Sequence, residues 1–198
     1  MFQNVDEAVE ILIDKLPKLD KSWFIISISK KGDKIAEIIA KKFNLNFDRL
    51  FLQSVPCPQN IDCQVAVISE FEDILFNEPI KESFKITSSS LIETIRVIYD
   101  YKLKQDRKTY RGQNRNLQIP QYISKVILVD NQIETGFFME LSLESMKRFN
   151  LDNIIVASLI IPEYIEPLFM NKPNIKLIYS KKVEFYTEFD DYFMELTK

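Results

Sequence analysis

The chain contains no histidine, only three glycines and only two cysteines in 198 residues. Without histidine there is no Ser-His or Cys-His nucleophile and no histidine-ligated zinc or iron. Cys57 and Cys63, in a stretch that also holds Pro56 and Pro58, make neither a zinc site nor a disulfide framework, so buried reduced thiols are expected. No apolar run approaches the roughly 18 residues of a membrane span, and residues Met1 to Asp6 lack the basic-then-apolar order of a secretory signal. A cytoplasmic protein without a membrane partner is the expectation. The chemistry left open is that of carboxylates, lysine, arginine, backbone amides and a hard metal ion.

A chain so poor in glycine keeps it where a Cβ is least tolerated, in backbone at positive φ or in close approach to a ligand. The three survivors, Gly32, Gly112 and Gly136, all sit in polar segments. Gly136 is the most telling. Val126-Ile127-Leu128-Val129-Asp130 is a continuous aliphatic run ending in a carboxylate, which reads as a buried parallel strand. A polar turn, Asn131 to Gly136, then leads into residues Phe137 to Phe149, where Phe138, Leu141, Ser145 and Phe149 recur at helical spacing. Strand, Thr-Gly turn and helix N-terminus together form a place where unpaired N–H groups face an anion, most naturally a phosphate.

Elsewhere the chain alternates. Residues Asp6 to Leu16 form an amphipathic helix stopped by Pro17, Trp23 to Ser29 a strand, and Lys34 to Phe43 a helix. Short strands are expected at Arg49–Leu52, Gln64–Ser69 and Ile74–Phe76. Ser88-Ser89-Ser90 with Glu93 supplies a capping box for a helix from Leu91 to Lys104. Strands Asn153–Leu159 and Ile175–Tyr179, a short helix around Ile165–Met170 and a last helix from Thr187 follow. Phe24, Phe51, Phe71 and Phe169 are read as core. Composition, 46% hydrophobic and 28% charged, suits one compact domain over residues 1–198. The fold class is α/β, with a mostly parallel central sheet, helices on both faces, and ligands expected at the carboxyl ends of the strands.

Charge is uneven. Residues 102–115 hold Lys102, Lys104, Arg107, Lys108, Arg111 and Arg115 against Asp106 alone, while the whole chain carries a net −3. This segment lacks the breadth and interleaved aromatics of a nucleic-acid footprint and suits a compact polyanion better. With Gly112 and no apolar stripe, residues 105–118 are expected to form a mobile basic loop.

The segment Val126-Ile-Leu-Val-Asp-Asn-Gln-Ile-Glu-Thr-Gly136 resembles the phosphoribosyl-diphosphate signature of type I phosphoribosyltransferases. Ile25 to Gly32 followed by Lys34 to Lys41 is similar to that family's strand, pyrophosphate loop and helix, and Thr109-Tyr-Arg-Gly112 falls where the family has its mobile basic loop. The ending Val183 to Phe189 is similar to that of an uncharacterised bacterial branch. The resemblance implies a phosphoribosyltransferase-like fold, and transfer of a phosphoribosyl group from phosphoribosyl diphosphate to an unknown acceptor, a nucleobase or related heterocycle, with Mg²⁺ as cofactor. It implies that Asp130 accepts from a ribose hydroxyl and meets Mg²⁺ indirectly, through ribose or water. Lys30, Lys31 and Gly32 would take pyrophosphate. Asn131, Gln132, Ile133, Glu134, Thr135, Gly136 and Phe137 would form the 5′-phosphate turn, and Lys108, Tyr110, Arg111 and Arg115 the lid, with Arg111 catalytic.

Several residues depart from the family pattern. Asn131 stands where a second acid is common, Glu134 lies inside the phosphate turn, Phe137 and Phe138 replace small or hydroxyl residues, and Asp33 follows Gly32. They keep a second reading open, a non-catalytic member of the fold used for binding, regulation or assembly. A receiver-like or flavodoxin-like signalling domain would need an acidic pocket with its own spacing, which the sequence lacks. The oligomeric state is not encoded legibly, and a homodimer is one option left open.

Overall fold

The computed structural model describes residues 1–170 and 172–194. Along the chain, helix α1 (Val5–Lys15) is capped by Asn4, whose side chain accepts from Glu7 N–H at 3.0 Å, and ends before Pro17. Strand β1 (Trp23–Ser27) is buried throughout, and α2 (Lys30–Phe43) follows with Ser29 as N-cap and Asn44 closing it at φ 52°. Strands β2 (Phe47–Arg49), β3 (Leu52–Cys57), β4 (Asn60–Ser69) and β5 (Ile74–Phe76) come next, then α3 (Glu78–Ser83). A 3₁₀ turn at Ser88–Leu91 runs into α4 (Ile92–Val97), a π-helical turn at Ile98–Leu103 and α5 (Lys104–Arg111). The remainder is β6 (Lys125–Gln132), α6 (Phe137–Met146), β7 (Asn153–Pro162), a short α7 (Glu166–Phe169) and β8 (Ile175–Val183).

The chain divides into two compact units. The first comprises Met1–Arg49, Ile119–Met139 and the chain from Phe149 onward; the second comprises Leu50–Gln118 and Glu140–Arg148.

The first unit holds a five-stranded sheet in the order β2-β1-β6-β7-β8, with every pairing parallel. Strands β1, β6 and β7 are interior, as their uninterrupted apolar runs predict: a strand covered on both faces has no solvent side to make polar. Trp23, Ile25, Ile127, Val129, Ile155 and Ala157 share a core with Ala8, Val9 and Leu12 of α1 and Ile35, Ala36 and Ile39 of α2. Their alternates Phe24, Ile26, Val126, Leu128 and Val156 are buried as well, so neither face meets water. The strand order reverses between β1 and β6, since β1 is followed outward by β2 while β6 leads the other way. At such a reversal the connections leave in opposite directions and open a crevice beyond the strand ends.

The second unit is built on an antiparallel sheet, β3-β4-β5, with irregular register at Pro56. The helical run from Ser88 packs on it through Leu91, Ile98 and Leu103, which meet Phe51, Val55, Val65, Ala66 and Ile68.

Several boundaries differ from those the sequence suggests. The expected strand Arg49–Leu52 is two strands of different sheets, with Arg49 ending β2 and Leu52 opening β3. The expected strand Gln64–Ser69 begins at Asn60. The N-cap of the long helical run is Thr87, whose hydroxyl accepts from Ser90 N–H at 3.3 Å, and the run continues to Arg111, not Lys104. The helix expected from Thr187 is a 3₁₀ turn at Phe189–Tyr192, and its continuation over 195–198 lies outside the described residues. Phe24, Phe51 and Phe169 are core, whereas Phe71 is half-buried beneath the Arg148 guanidinium, 4.1 Å from its ring centre. Cys57 is buried, Cys63 half-buried, and both are free thiols. Among the described residues no helix is long and apolar enough to cross a membrane.

Candidate functional site

At the reversal between β1 and β6 one short contact joins the chain beyond β1 to β6. The strand carries the chain to Ser29, whose extended backbone (φ −146°, ψ 162°) makes it the N-cap of α2. Its hydroxyl accepts from Gly32 N–H at 2.9 Å and donates to Asp130 Oδ1 at 2.6 Å. The same Asp130 oxygen accepts from Asn131 N–H at 2.8 Å. Asp130 keeps part of its surface open but is closely surrounded by protein, and this desolvation pushes its carboxyl up to about 6, from an ordinary 3.8. The Ser29 and Asn131 donors and the Lys31 cation pull the other way, while Glu134 adds to the rise.

Gly32 is in the first turn of α2, where an added Cβ would lie 2.9 Å from Val129 O and 3.4 Å from Asp130 Cα. The missing side chain lets the helix end sit against the end of β6. Its N–H, expected to meet pyrophosphate, is already held by Ser29. Asp33 is likewise committed: Arg49 Nε donates to it at 2.8 Å, a second guanidinium nitrogen completes a bidentate pair, and Ser27 Oγ adds a third bond. Lys30 and Lys31 are exposed, and Lys31 Nζ lies 5.7 Å from the Phe189 ring centre.

Beyond Asp130 the chain turns to α6. Ile133 is buried and donates its N–H to Ile160 O at 3.2 Å, and Thr135 Oγ1 accepts from Phe137 N–H at 3.4 Å in the turn before the helix. The N–H groups of Asn131, Ile133 and Phe137 are so engaged, and those of Glu134, Thr135 and Gly136 have no partner among the described residues. Gly136 takes φ 77°, which L side chains rarely adopt, and its Cβ position is 3.0 Å from Leu168 Cδ1. Glu134 points out to solvent: its carboxylate receives Gln132 Nε2 at 2.6 Å and meets Tyr186, and does not fold back on the helix amides. Burial first, and Glu134 second, push the Tyr186 hydroxyl up to about 12. Asn131 is buried with its Nδ2 unpartnered, a donor in the position where the family resemblance expects an acid.

Lys108, Tyr110, Arg111 and Arg115 belong to the second unit, and the segment holding them is ordered around a residue the sequence does not flag. Glu70 is fully buried. Its carboxylate accepts from Arg111 Nη1 at 2.6 Å and Nη2 at 3.2 Å, from Phe51 N–H at 3.0 Å and from Leu117 N–H at 3.0 Å. Arg107, only 2% exposed, donates to Glu70 O at 3.1 Å and to the side chains of Asn114 and Asn116. Where a mobile loop over 105–118 was expected, residues to Arg111 are helical and Leu117 is anchored. A buried carboxylate with two guanidinium partners repays the ordering entropy that the local sequence cannot. Arg111 is therefore an ion-pair partner of Glu70. Lys108, Tyr110 and Arg115 stay exposed, Tyr110 edge-on to Phe51 at 5.5 Å.

The structure thus brings together Asp130, Lys31, Gly32 and the 131–137 turn. Sequence reasoning missed Ser29 and Tyr186 as members of it, and missed Glu70 as the anchor of the basic segment in the second unit. Ser29 had a signal, a hydroxyl residue between an apolar run and a helix; Glu70 had none.

No model of a known protein family matches the chain, and no curated protein matches its sequence. Solved structures do. TT1426 from Thermus thermophilus superimposes with a TM-score of 0.73, covering 100% of this chain and 92% of that one at 15% identity. AQ2163 protein from Aquifex aeolicus gives 0.53, covering 91% and 74% at 8% identity. A purine phosphoribosyltransferase from Pyrococcus horikoshii gives 0.48, covering 91% and 83% at 14% identity. At such identities the likeness is one of fold alone, and the fold this chain shares is the α/β fold of TT1426.

Proposed function

We propose that the chain binds phosphoribosyl diphosphate and transfers its phosphoribosyl group to an unknown acceptor, a nucleobase or related heterocycle, with release of pyrophosphate. The observation that carries the reading is the position of Asp130: the signature carboxylate lies two residues before the end of an interior parallel strand, at the sheet's order reversal, with a short turn leading on to a helix N-terminus at Phe137. The outward direction of Glu134 supports it, since three turn amides stay clear for a phosphate.

In this reading Asp130, ionised, accepts from a ribose hydroxyl, and the amides of Glu134, Thr135 and Gly136 hold the 5′-phosphate. Lys30 and Lys31 balance the charge that gathers on pyrophosphate as its bond to C1′ breaks and the acceptor nitrogen bonds in its place. Among the described residues no group of three or more acidic or cysteine side chains could cage a metal. Asp130 would meet Mg²⁺ indirectly, through ribose or water, with the ion carried on the substrate's phosphates. Mg²⁺ bound there would act as a Lewis acid on the leaving group.

The second reading, a non-catalytic binding module, is favoured by Arg111, which is occupied by Glu70, and by Asn131 in place of an acid. Calorimetric titration with phosphoribosyl diphosphate and Mg²⁺ tests both. Heat from the native protein that Asp130→Ala abolishes supports the first reading, product formation separates transfer from binding, and absence of heat removes the ligand from the account.

A further inference from the structure

A carboxylate close to a helix N-terminus is attracted by the unpaired N–H groups and by the positive end of the helix dipole. Glu134 stands inside the turn that leads to α6, beside the N–H groups of Thr135 and Gly136, and yet its carboxylate is directed away from them. Folded inward, the same side chain would take the place of a bound phosphate. Its outward direction therefore needs a restraint.

Two side chains of the first unit supply it. Gln132, the last residue of β6, donates Nε2 to Glu134 Oε1 at 2.6 Å. In this orientation Gln132 Oε1 is buried and, among the described residues, has no hydrogen-bond partner. An unpaired buried acceptor is unfavourable, so the amide is held by the charge-assisted bond at its other end. The second side chain is Tyr186, whose hydroxyl faces both Glu134 and Gln132. Tyr186 is itself fixed: its ring packs on the core of the first unit, and Thr187 donates its N–H to the hydroxyl of buried Tyr192 at 2.9 Å. Gln132 is set by the sheet, where it pairs with Ile160 of β7. Glu134 is thus held from a strand on one side and from the C-terminal segment on the other.

We propose that Gln132 and Tyr186 are positioning residues that hold Glu134 out of the turn, and that on their removal Glu134 closes the turn to anions. The identity of the anion rests on the phosphoribosyl reading; the restraint on Glu134 does not.

The test compares the full-length native protein, a double variant Gln132→Leu with Tyr186→Phe, and a triple variant that adds Glu134→Ala. Solvent exchange of the Thr135 and Gly136 amide protons, followed by NMR without ligand, should be fast in the native protein, about tenfold slower in the double variant and fast again in the triple variant, since a carboxylate at a helix N-terminus is worth about that factor. Calorimetric affinity for ribose 5-phosphate should fall about tenfold in the double variant and return in the triple variant, a rescue that a merely structural role would not give. Where the double variant fails to fold, Tyr186→Phe alone, which keeps the ring and its packing, should give a smaller share of both changes. Native exchange rates in the double variant overturn the proposal, as does slow exchange that persists in the triple variant, because the protecting group is then not Glu134. No heat from the native protein with ribose 5-phosphate counts against the phosphoribosyl reading, and the exchange series then decides the proposal by itself.

Discussion

Ser29 Oγ and Asp130 Oδ1 lie 2.6 Å apart although 101 residues separate them in the chain. The bond joins the end of β1 to the end of β6 across the order reversal, and the same hydroxyl caps α2 through Gly32. One side chain thus fixes the start of a helix and the orientation of the candidate site's carboxylate.

Ser29→Ala should therefore do two things at once. Loss of the cap and of the bond to Asp130 is expected to cost about 1–2 kcal/mol in urea denaturation. The Asp130 carboxyl should rise above about 6, because a donor that now holds it down is gone. Carbon-13 NMR titration of the carboxyl reads the second effect, which a purely structural loss would not produce. An unchanged titration would detach Ser29 from the site.

Asp130 also sets a pH dependence. Its carboxyl is raised in the folded chain, from 3.8 to about 6, so the native state holds the proton more tightly than the unfolded one. Its contribution to stability is fully present below pH ~4 and is lost as pH rises through ~6, a difference of about 2–3 kcal/mol. Asp130→Asn should flatten the stability profile across that window and be more stable than the native chain at pH 7. Ligand binding runs the opposite way: an ionised acceptor for ribose is available only above pH ~6, so affinity for phosphoribosyl diphosphate should fall below it.

Glu70 governs the order of the basic segment. Trypsin should cut the native protein after Lys108 or Arg115, which are exposed, before Arg107 or Arg111, whose side chains are 2% and 3% exposed. Glu70→Ala removes the buried acid that Arg107 and Arg111 share and is expected to cost about 3–5 kcal/mol. Cleavage at Arg111 should then become as fast as at Arg115. If the order of cleavage stays the same in the variant, Glu70 is not the anchor.

The three glycines should rank by surroundings. Gly32→Ala drives a Cβ to 2.9 Å from the Val129 carbonyl, backbone that cannot step aside, and should cost most. Gly136→Ala combines φ 77° with a contact to the flexible end of Leu168, for an intermediate loss. Gly112→Ala meets nothing within 4 Å and loses only through its φ of 69°, about 1 kcal/mol. Thermal denaturation of the three variants gives the ranking directly.

The amino-acid sequence by itself determined the parallel sheet and the place of Asp130 on it. Strands buried on both faces favour nearly continuous apolar runs, and Trp23–Ser29, Val126–Asp130 and Asn153–Leu159 carry them; a local pattern suffices because the cause is local. The left-handed Gly136 was legible for the same reason, whereas the strand expected to run to Ser29 ends at Ser27 and Ser29 caps the helix. Only the tertiary structure decided the rest. It split Arg49 and Leu52 between two sheets, turned Glu134 outward onto Gln132 and Tyr186, and brought Glu70 to Arg111, 41 residues further on, in a segment that is helical as far as Arg111 where the composition reads as a loop. A buried ion pair has no sequence period: its stability comes from excluding water around groups that distant parts of the chain supply, and that exclusion exists only once the chain has folded.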